Sequence, residues 1–222
     1  MNEKKDLTCE VELTPQVKRT QKIAWVTLLL GLIVSAISTD LLFMEPLMIL
    51  VAFICLRKVA SSQVMKLCCK RMIWVQALLA ATLLIIRLMW IDLGGDMLVA
   101  DLAVIVMWLA SAWCYGTMAQ SGTLSKESIG WVNVIVTLVV VRSLSISLGD
   151  DDFVEAFSAL YFGLVFIMAY AWYKLIHSEA FSGKESEPTD VAPKKASGLV
   201  NKYTILGFVP VVVLLVITLS YM

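Results

Sequence analysis

Charged side chains are scarce in this sequence. Asp, Glu, Lys and Arg make up 16% of the 222 residues, whereas 59% are hydrophobic and the mean hydropathy is +0.83. Soluble domains contain about 25% charged and about 45–50% apolar residues, and they cannot bury so much apolar surface. The composition therefore argues against a soluble globular protein and predicts an integral membrane protein. The net charge is zero, which gives no reason to expect nucleic-acid binding.

The sequence also lacks the motifs of metal, cofactor and catalytic sites. Its five cysteines show no C-x-x-C spacing and it has one histidine, so no zinc site, haem site or disulfide framework is predicted. A Gly-rich phosphate loop and a nucleophile with a partnering base are missing as well. We therefore expect no metal, no cofactor and no enzymatic activity, with a carboxylate-based intramembrane enzyme as a minor alternative.

Hydrophobic runs recur along the chain, and a helix needs about 20 apolar residues to cross a bilayer. They predict an all-α fold, a polytopic transmembrane helix bundle of about seven spans. The second run is the least regular, because it contains Glu45 and Pro46. For the first run, a signal peptide cleaved near Ser38 is an alternative. The predicted spans are Ile23–Thr39, Leu41–Leu56, Ile73–Ile91, Leu98–Met118, Ile129–Leu148, Phe153–Ile176 and Tyr203–Met222.

Basic and acidic residues alternate from one connection to the next. Lys and Arg occupy the N-terminal segment and the connection from Arg57 to Arg71, whereas the alternate connections carry only acids, such as Asp150 to Asp152. Because short basic loops stay in the cytoplasm, the pattern predicts a cytoplasmic N-terminus and a C-terminus outside, in a plasma membrane of the bacterial inner-membrane type. The three consecutive aspartates are interpreted as a solvated turn rather than a divalent-cation site.

The predicted organisation has four parts. Residues 1–22 form a cytoplasmic N-terminal segment, 23–177 a six-span transmembrane core, 178–202 a flexible cytoplasmic linker and 203–222 a C-terminal transmembrane helix. The core is interpreted as three helical hairpins. Similar segments in the second and third hairpins indicate duplication of a two-helix unit, although chance matches between apolar sequences explain them equally well.

Five charged residues are predicted to lie inside or beside the spans, near the outer face. A charge at the centre of a membrane costs about 2.5–3.5 kcal/mol even on the insertion scale, so each requires a partner. Arg87 is expected to meet Asp101 within one hairpin, and Arg142 is expected to meet Glu155, with Glu45 at comparable depth. We interpret these residues as structural salt bridges or, alternatively, as a polar pocket that binds an anion or relays protons.

The sequence favours a non-enzymatic subunit or scaffold of a larger membrane assembly. Its predicted partners are the lipid bilayer and other membrane proteins or further copies of the chain. Gly31, Ser35 and Ser38 form a small-residue stripe that suits close contact with another helix. The alternative is a small transporter or channel for a solute, ion or proton. The basic stretch around Cys68 and Cys69 is typical of contact with anionic lipid.

Overall fold

A computed structural model describes the backbone of residues 13–37, 41, 43–93, 98–148 and 151–183, and the side chains of these ranges except at 36, 89–93, 98–103, 142–148 and 151–162. This part of the chain is all-α and contains no strand. The predicted helix 203–222 lies outside the described residues. The six α-helices are α1 (Pro15–Ile37), α2 (Met44–Val59), α3 (Gln63–Leu93), α4 (Leu98–Ala119), α5 (Lys126–Leu148) and α6 (Asp151–Ile176), followed by a 3-10 helix at Glu179–Phe181.

Four helices, α1, α3, α5 and α6, begin earlier than the hydrophobic runs predict, because their first turns also contain polar residues. α1 begins at Pro15, whose fixed φ angle suits the first position of a helix. At the start of α3, the Ser62 hydroxyl accepts a hydrogen bond from the Met65 backbone N–H at 3.1 Å. Ser125 does the same for the Ser128 N–H at 3.3 Å before α5. Such N-caps satisfy backbone donors that the helix itself leaves unpaired.

The six helices form a closed ring. Each packs mainly on its neighbours in the sequence, and α6 returns to pack on α1. Short connections make successive helices antiparallel. The starts of α1, α3 and α5 therefore lie at the same end of the ring as the ends of α2, α4 and α6.

Aromatic side chains from three helices fill part of the interior. The Phe53 ring of α2 contacts the Tyr115 ring of α4 edge to face, with 5.9 Å between ring centroids. Trp172 of α6 donates a hydrogen bond from Nε1 to the Tyr115 hydroxyl at 3.1 Å. All three side chains are fully buried. Edge-to-face pairs of this kind contribute about 0.5–1.5 kcal/mol each beyond the area that they bury.

Apolar side chains also cover much of the exterior. Large exposed hydrophobic residues include Leu30 on α1, Val51 on α2, Leu78 on α3, Val106 on α4 and Phe166 on α6. Soluble monomers rarely expose continuous apolar surfaces of this extent. α5 differs from the other helices. Apart from Lys126, its described side chains are all at least partly buried.

The described residues contain one stretch that is long and apolar enough to cross a membrane, Gln63–Leu88 of α3. Shorter apolar stretches occupy Val104–Ala119 and Gly163–Ile176. α2 has 16 residues, and at 1.5 Å per residue its length of about 24 Å is less than the roughly 30 Å of a hydrocarbon core. The prediction of seven spans is therefore not confirmed. What the structure shows is a six-helix ring with one clearly membrane-capable helix in its described part.

Candidate functional site

Four buried polar side chains on four successive helices lie at nearly the same depth in the ring. Glu45 lies 14 residues before the end of α2 at Val59 (45 to 59), and Gln76 lies 13 residues after the start of α3 at Gln63 (63 to 76). At 1.5 Å per residue, both are about 20 Å from the turn that joins the two helices. A serine of α1 hydrogen-bonds to Glu45 and a serine of α4 hydrogen-bonds to Gln76, so both serines lie close to this depth. We call the four residues the polar layer: Ser35, Glu45, Gln76 and Ser111.

Glu45 is the ionisable member of the polar layer and is fully buried in the first turn of α2. The Ser35 hydroxyl donates a hydrogen bond to Glu45 Oε2 at 2.7 Å. Gly31 allows this close approach of α1, because a Cβ atom at that position would lie 2.7 Å from Met48 Cβ. A carboxylate near a helix N-terminus is also stabilised by the helix dipole.

The sequence predicts Glu45 near the outer end of the second span, and the structure places it, fully buried, in the first turn of α2. This turn is level with Gln76 of α3. α3 continues for 17 further residues to Leu93 (76 to 93), or about 26 Å of helix. On this side, α3 therefore extends well beyond the N-terminal end of α2.

Gln76 is the second fully buried member of the polar layer. Its Nε2 donates to the Ser111 hydroxyl at 2.9 Å and contacts Met72 Sδ at 3.4 Å, and Ser111 in turn donates to the Met107 carbonyl at 3.1 Å. These contacts use both hydrogens of the amide. Gln76 Oε1 has no hydrogen-bond partner in the described part of the chain. A buried acceptor left in this state costs about 1–3 kcal/mol, so its presence requires an explanation.

Tyr115 extends the polar layer along α4, one helical turn beyond Ser111. Its hydroxyl accepts the hydrogen bond from Trp172. The arrangement places one carboxyl group, one amide oxygen and several hydroxyl groups in the interior, and these are groups that ligate small cations or carry protons.

Of the five predicted charged residues, the structure describes the side chains of Glu45 and Arg87. Arg87 is partly exposed and has at least one interaction partner. It lies 11 residues beyond Gln76 on α3 (76 to 87), or about 17 Å, and thus outside the polar layer. The side chains of Asp101, Arg142 and Glu155 lie outside the described residues. The predicted Arg87/Asp101 and Arg142/Glu155 pairs therefore stay predictions.

Sequence reasoning missed Gln76, Ser111 and Tyr115, because it searched the spans for charges alone. A signal for Gln76 was available. The residues four before and three after it, Met72 and Leu79, belong to the same helical stripe, and both are fully buried. An amide within an apolar stripe at helical spacing indicates a buried polar group.

Basic side chains collect at the end of the ring where α1, α3 and α5 begin, which we call the basic end. Arg87 is the only described basic side chain that lies elsewhere. The acids described at this end include Glu127, which pairs with Lys174 at 3.3 Å. The basic residues of this end are Lys18, Arg19, Lys22, Arg57, Lys58, Lys66, Lys70, Arg71, Lys126 and Lys174.

Residues 178–183, the first six of the predicted linker, pack against the basic end. The Ser61 N–H donates to the Ala180 carbonyl at 2.8 Å, and the Gly183 N–H donates to the Val59 carbonyl at 2.9 Å. The buried side chain of Gln21 adds hydrogen bonds from Nε2 to two further carbonyls in this region, at 3.1 and 3.2 Å. The start of the predicted linker thus ties α6 to α1 and to the turn between α2 and α3.

The described residues contain no group of three or more His, Cys, Asp or Glu side chains that are placed to hold a metal ion. Cys68, Cys69 and Cys114 are buried free thiols near the basic end. Cys68 Sγ lies 3.9 Å from Thr117 Oγ1. The polar layer is therefore the described arrangement with the clearest capacity to bind or transfer a ligand. No protein-family model, no curated protein and no solved structure matches this chain.

Proposed function

We propose that this chain is a multi-pass integral membrane protein of a plasma membrane, of the bacterial inner-membrane type, with its basic end in the cytoplasm. The apolar exterior supports this proposal, as does α3, because only 28% of its most apolar stretch is buried. The core helix of a soluble protein is mostly buried. Trp74 and Trp113 are exposed near the basic side chains, in the arrangement that membrane interfaces favour.

Within that membrane protein, we propose that the polar layer is part of a pathway for a small cation or a proton. The observation that carries the proposal is the fully buried carboxyl group of Glu45 among the buried polar side chains of this layer. Ionisable groups inside a membrane are costly, and those that persist commonly mark ion pathways or proton relays. Gln76 Oε1 supplies a second, neutral oxygen, which has no hydrogen-bond partner among the described residues.

The chemistry assigned to the polar layer is that of transient binding. The Glu45 carboxyl group attracts a cation or accepts a proton, while the Ser35 hydroxyl fixes its orientation through the 2.7 Å hydrogen bond. Phe53, Tyr115 and Trp172 are fully buried between this layer and the basic end. A cation or proton carrier that passes this part of the interior requires these side chains to move.

A subunit or scaffold of a larger assembly is the second candidate. The small-residue stripe gives it less support than the sequence indicated, because Gly31 and Ser35 pack on α2 rather than on a partner. The supporting observation is instead a stripe of exposed aromatic residues along α6, Phe166, Tyr170 and Tyr173. Aromatic residues are enriched where protein surfaces meet. A stoichiometric partner in native membrane extracts would support this candidate.

The pathway is tested with purified protein in liposomes that contain a pH-sensitive dye, with a potassium diffusion potential as the driving force and radioactive Na⁺ uptake measured in parallel. We expect wild-type protein to carry protons or Na⁺ faster than empty liposomes do. Glu45→Gln keeps the hydrogen-bonding geometry but removes the charge, and it should lower the flux at least tenfold.

Glu179→Gln is the matched control, because Glu179 is exposed at the basic end. It should transport at the wild-type rate. Wild-type flux equal to that of empty liposomes, or an unchanged flux in Glu45→Gln, would contradict the pathway.

A further inference from the structure

We propose that the outer surface between α3 and α4 binds one anionic phospholipid, with the headgroup at Arg71 and an acyl chain along the two helices. This inference rests on the proposed membrane location but not on the proposed pathway. We call the surface the lipid groove, and it consists of Arg71, Trp74, Leu78, Leu109 and Trp113.

Two contacts fix the register of α3 against α4. Cys68 Sγ lies 3.9 Å from Thr117 Oγ1, and Gln76 Nε2 lies 2.9 Å from Ser111 Oγ. Because the helices are antiparallel, positions further along α3 face positions earlier on α4. Trp74 of α3 is therefore level with position 113 of α4.

The lipid groove has exposed tryptophans at one end and exposed leucines beyond them. Trp74 is 63% exposed and Trp113 is 61% exposed, and one turn further from the basic end Leu78 and Leu109 are also exposed at matching depth. Trp74 and Leu78 follow one another at helical spacing, as do Trp113 and Leu109. The two stripes therefore run side by side in the direction that an acyl chain takes in a membrane.

Arg71 supplies the cationic end of the groove. Its guanidinium carbon lies 5.8 Å from the centroid of the Trp113 ring, a distance that allows a cation–π interaction. No acidic residue occurs in residues 63–88 or 104–119. A guanidinium group binds a phosphate with two parallel hydrogen bonds. The charge at this point therefore complements the phosphate of an anionic lipid.

The order of polarity along the groove favours a lipid as its occupant. The groove presents a cation at one end, then two tryptophans and then two leucines. This order matches an anionic headgroup, a membrane interface and a hydrocarbon chain.

The test uses purified full-length protein in neutral detergent, with phosphatidylglycerol and phosphatidylcholine as the probes. Native mass spectrometry counts bound lipid, and a titration gives relative affinities. We expect one phosphatidylglycerol to bind in preference to phosphatidylcholine. Arg71→Gln should lower the phosphatidylglycerol affinity about fivefold, which corresponds to the roughly 1 kcal/mol of one basic residue near a lipid surface. Trp113→Leu should lower it by a smaller factor.

Arg57→Gln is the matched control, because Arg57 is an exposed arginine of the same end on α2. It should keep the wild-type affinity within twofold. No preference for the anionic lipid, equal losses in Arg71→Gln and Arg57→Gln, or occupation of the surface by a co-purified protein would overturn the lipid groove. Extraction of membranes at alkaline pH separates the two proposals. Release of the wild-type protein contradicts the membrane location, whereas retention together with unselective lipid binding contradicts the groove alone.

Discussion

Gln76 and Glu45 are stabilised in the interior by different means. The Glu45 carboxyl group has a hydroxyl donor and a helix N-terminus beside it. The Gln76 amide satisfies its nitrogen through Ser111, while its oxygen has no partner in the described part of the protein. The contacts that stabilise buried Glu45 are thus identified. Burying the Gln76 oxygen without a hydrogen bond, in contrast, costs free energy of folding, and the contacts described do not explain why this cost is tolerated.

Replacing Gln76 tests whether its buried oxygen, which lowers stability, is needed for cation or proton flux. Gln76→Leu removes the oxygen without a partner and keeps a side chain of similar size, and Ser111 retains its bond to the Met107 carbonyl. We expect the midpoint of thermal unfolding to stay the same or to rise, and the cation flux to fall. The control is Gln120→Leu at an exposed position, which should leave both quantities unchanged. A destabilised variant with normal flux would make Gln76 a purely structural residue.

The candidate site was only partly predictable from single residues. Glu45 was predicted because a carboxyl group in an apolar run is conspicuous. Gln76 and Ser111 were not, because neutral polar residues are common in membrane helices and only the fold shows that these two meet. The depth of Glu45 also depends on the length of α2 relative to α3, which the hydrophobic pattern alone does not determine.

At the scale of helices, the contact between α1 and α2 depends on a glycine. A Cβ atom at Gly31 would lie 2.7 Å from Met48 Cβ and 3.5 Å from the Glu45 backbone. Contacts below 3.0 Å force the helices apart, and the Ser35 to Glu45 hydrogen bond spans the same interface. The packing of these two helices therefore also positions the carboxyl group of the polar layer.

Gly31→Ala should lower the free energy of unfolding by about 1–3 kcal/mol, the usual cost of overpacking. Gly116→Ala is the matched control, because Gly116 is also inside a helix but a Cβ atom there would meet nothing within 4 Å. It should be neutral or stabilising, since alanine favours a helix by about 1 kcal/mol over glycine. Denaturant unfolding in detergent measures both variants. Equal effects would mean that α1 and α2 are not in close contact at Gly31.

The sequence predicted the six helices of the core better than it predicted their ends. Apolar runs located α1 to α6. The starts of α3 and α5 depend instead on the N-cap residues Ser62 and Ser125. The helical turns that follow these two serines are polar, so a search for apolar runs does not find them. The linker from residue 178 to 202 is predicted to be flexible because glycines and prolines recur in it among mixed charges. Its first residues nevertheless make hydrogen bonds. Their hydrogen bonds to Val59 and Ser61 are long-range contacts that composition does not reveal.

At the scale of the whole molecule, the ring combines an apolar exterior, a polar layer and a basic end. The pairing of α6 with α1 makes this a closed arrangement rather than an open row of hairpins. An all-α fold followed from composition and periodicity, but the closure of the ring did not, because it requires contacts between helices more than 100 residues apart, such as the bond from Trp25 to the Ala169 carbonyl.

The orientation of the ring in a membrane is the central claim, and cysteine labelling tests it most directly. In a variant whose five native cysteines are changed to serine, single cysteines are introduced at Ser62, Gly95, Ser121 and Gly149. A membrane-impermeant maleimide is then applied to intact cells and to inverted membrane vesicles. We predict labelling at positions 62 and 121 only in inverted vesicles, and at 95 and 149 only in intact cells. Labelling of all four positions from one side, or recovery of the protein in the soluble fraction, would contradict the account.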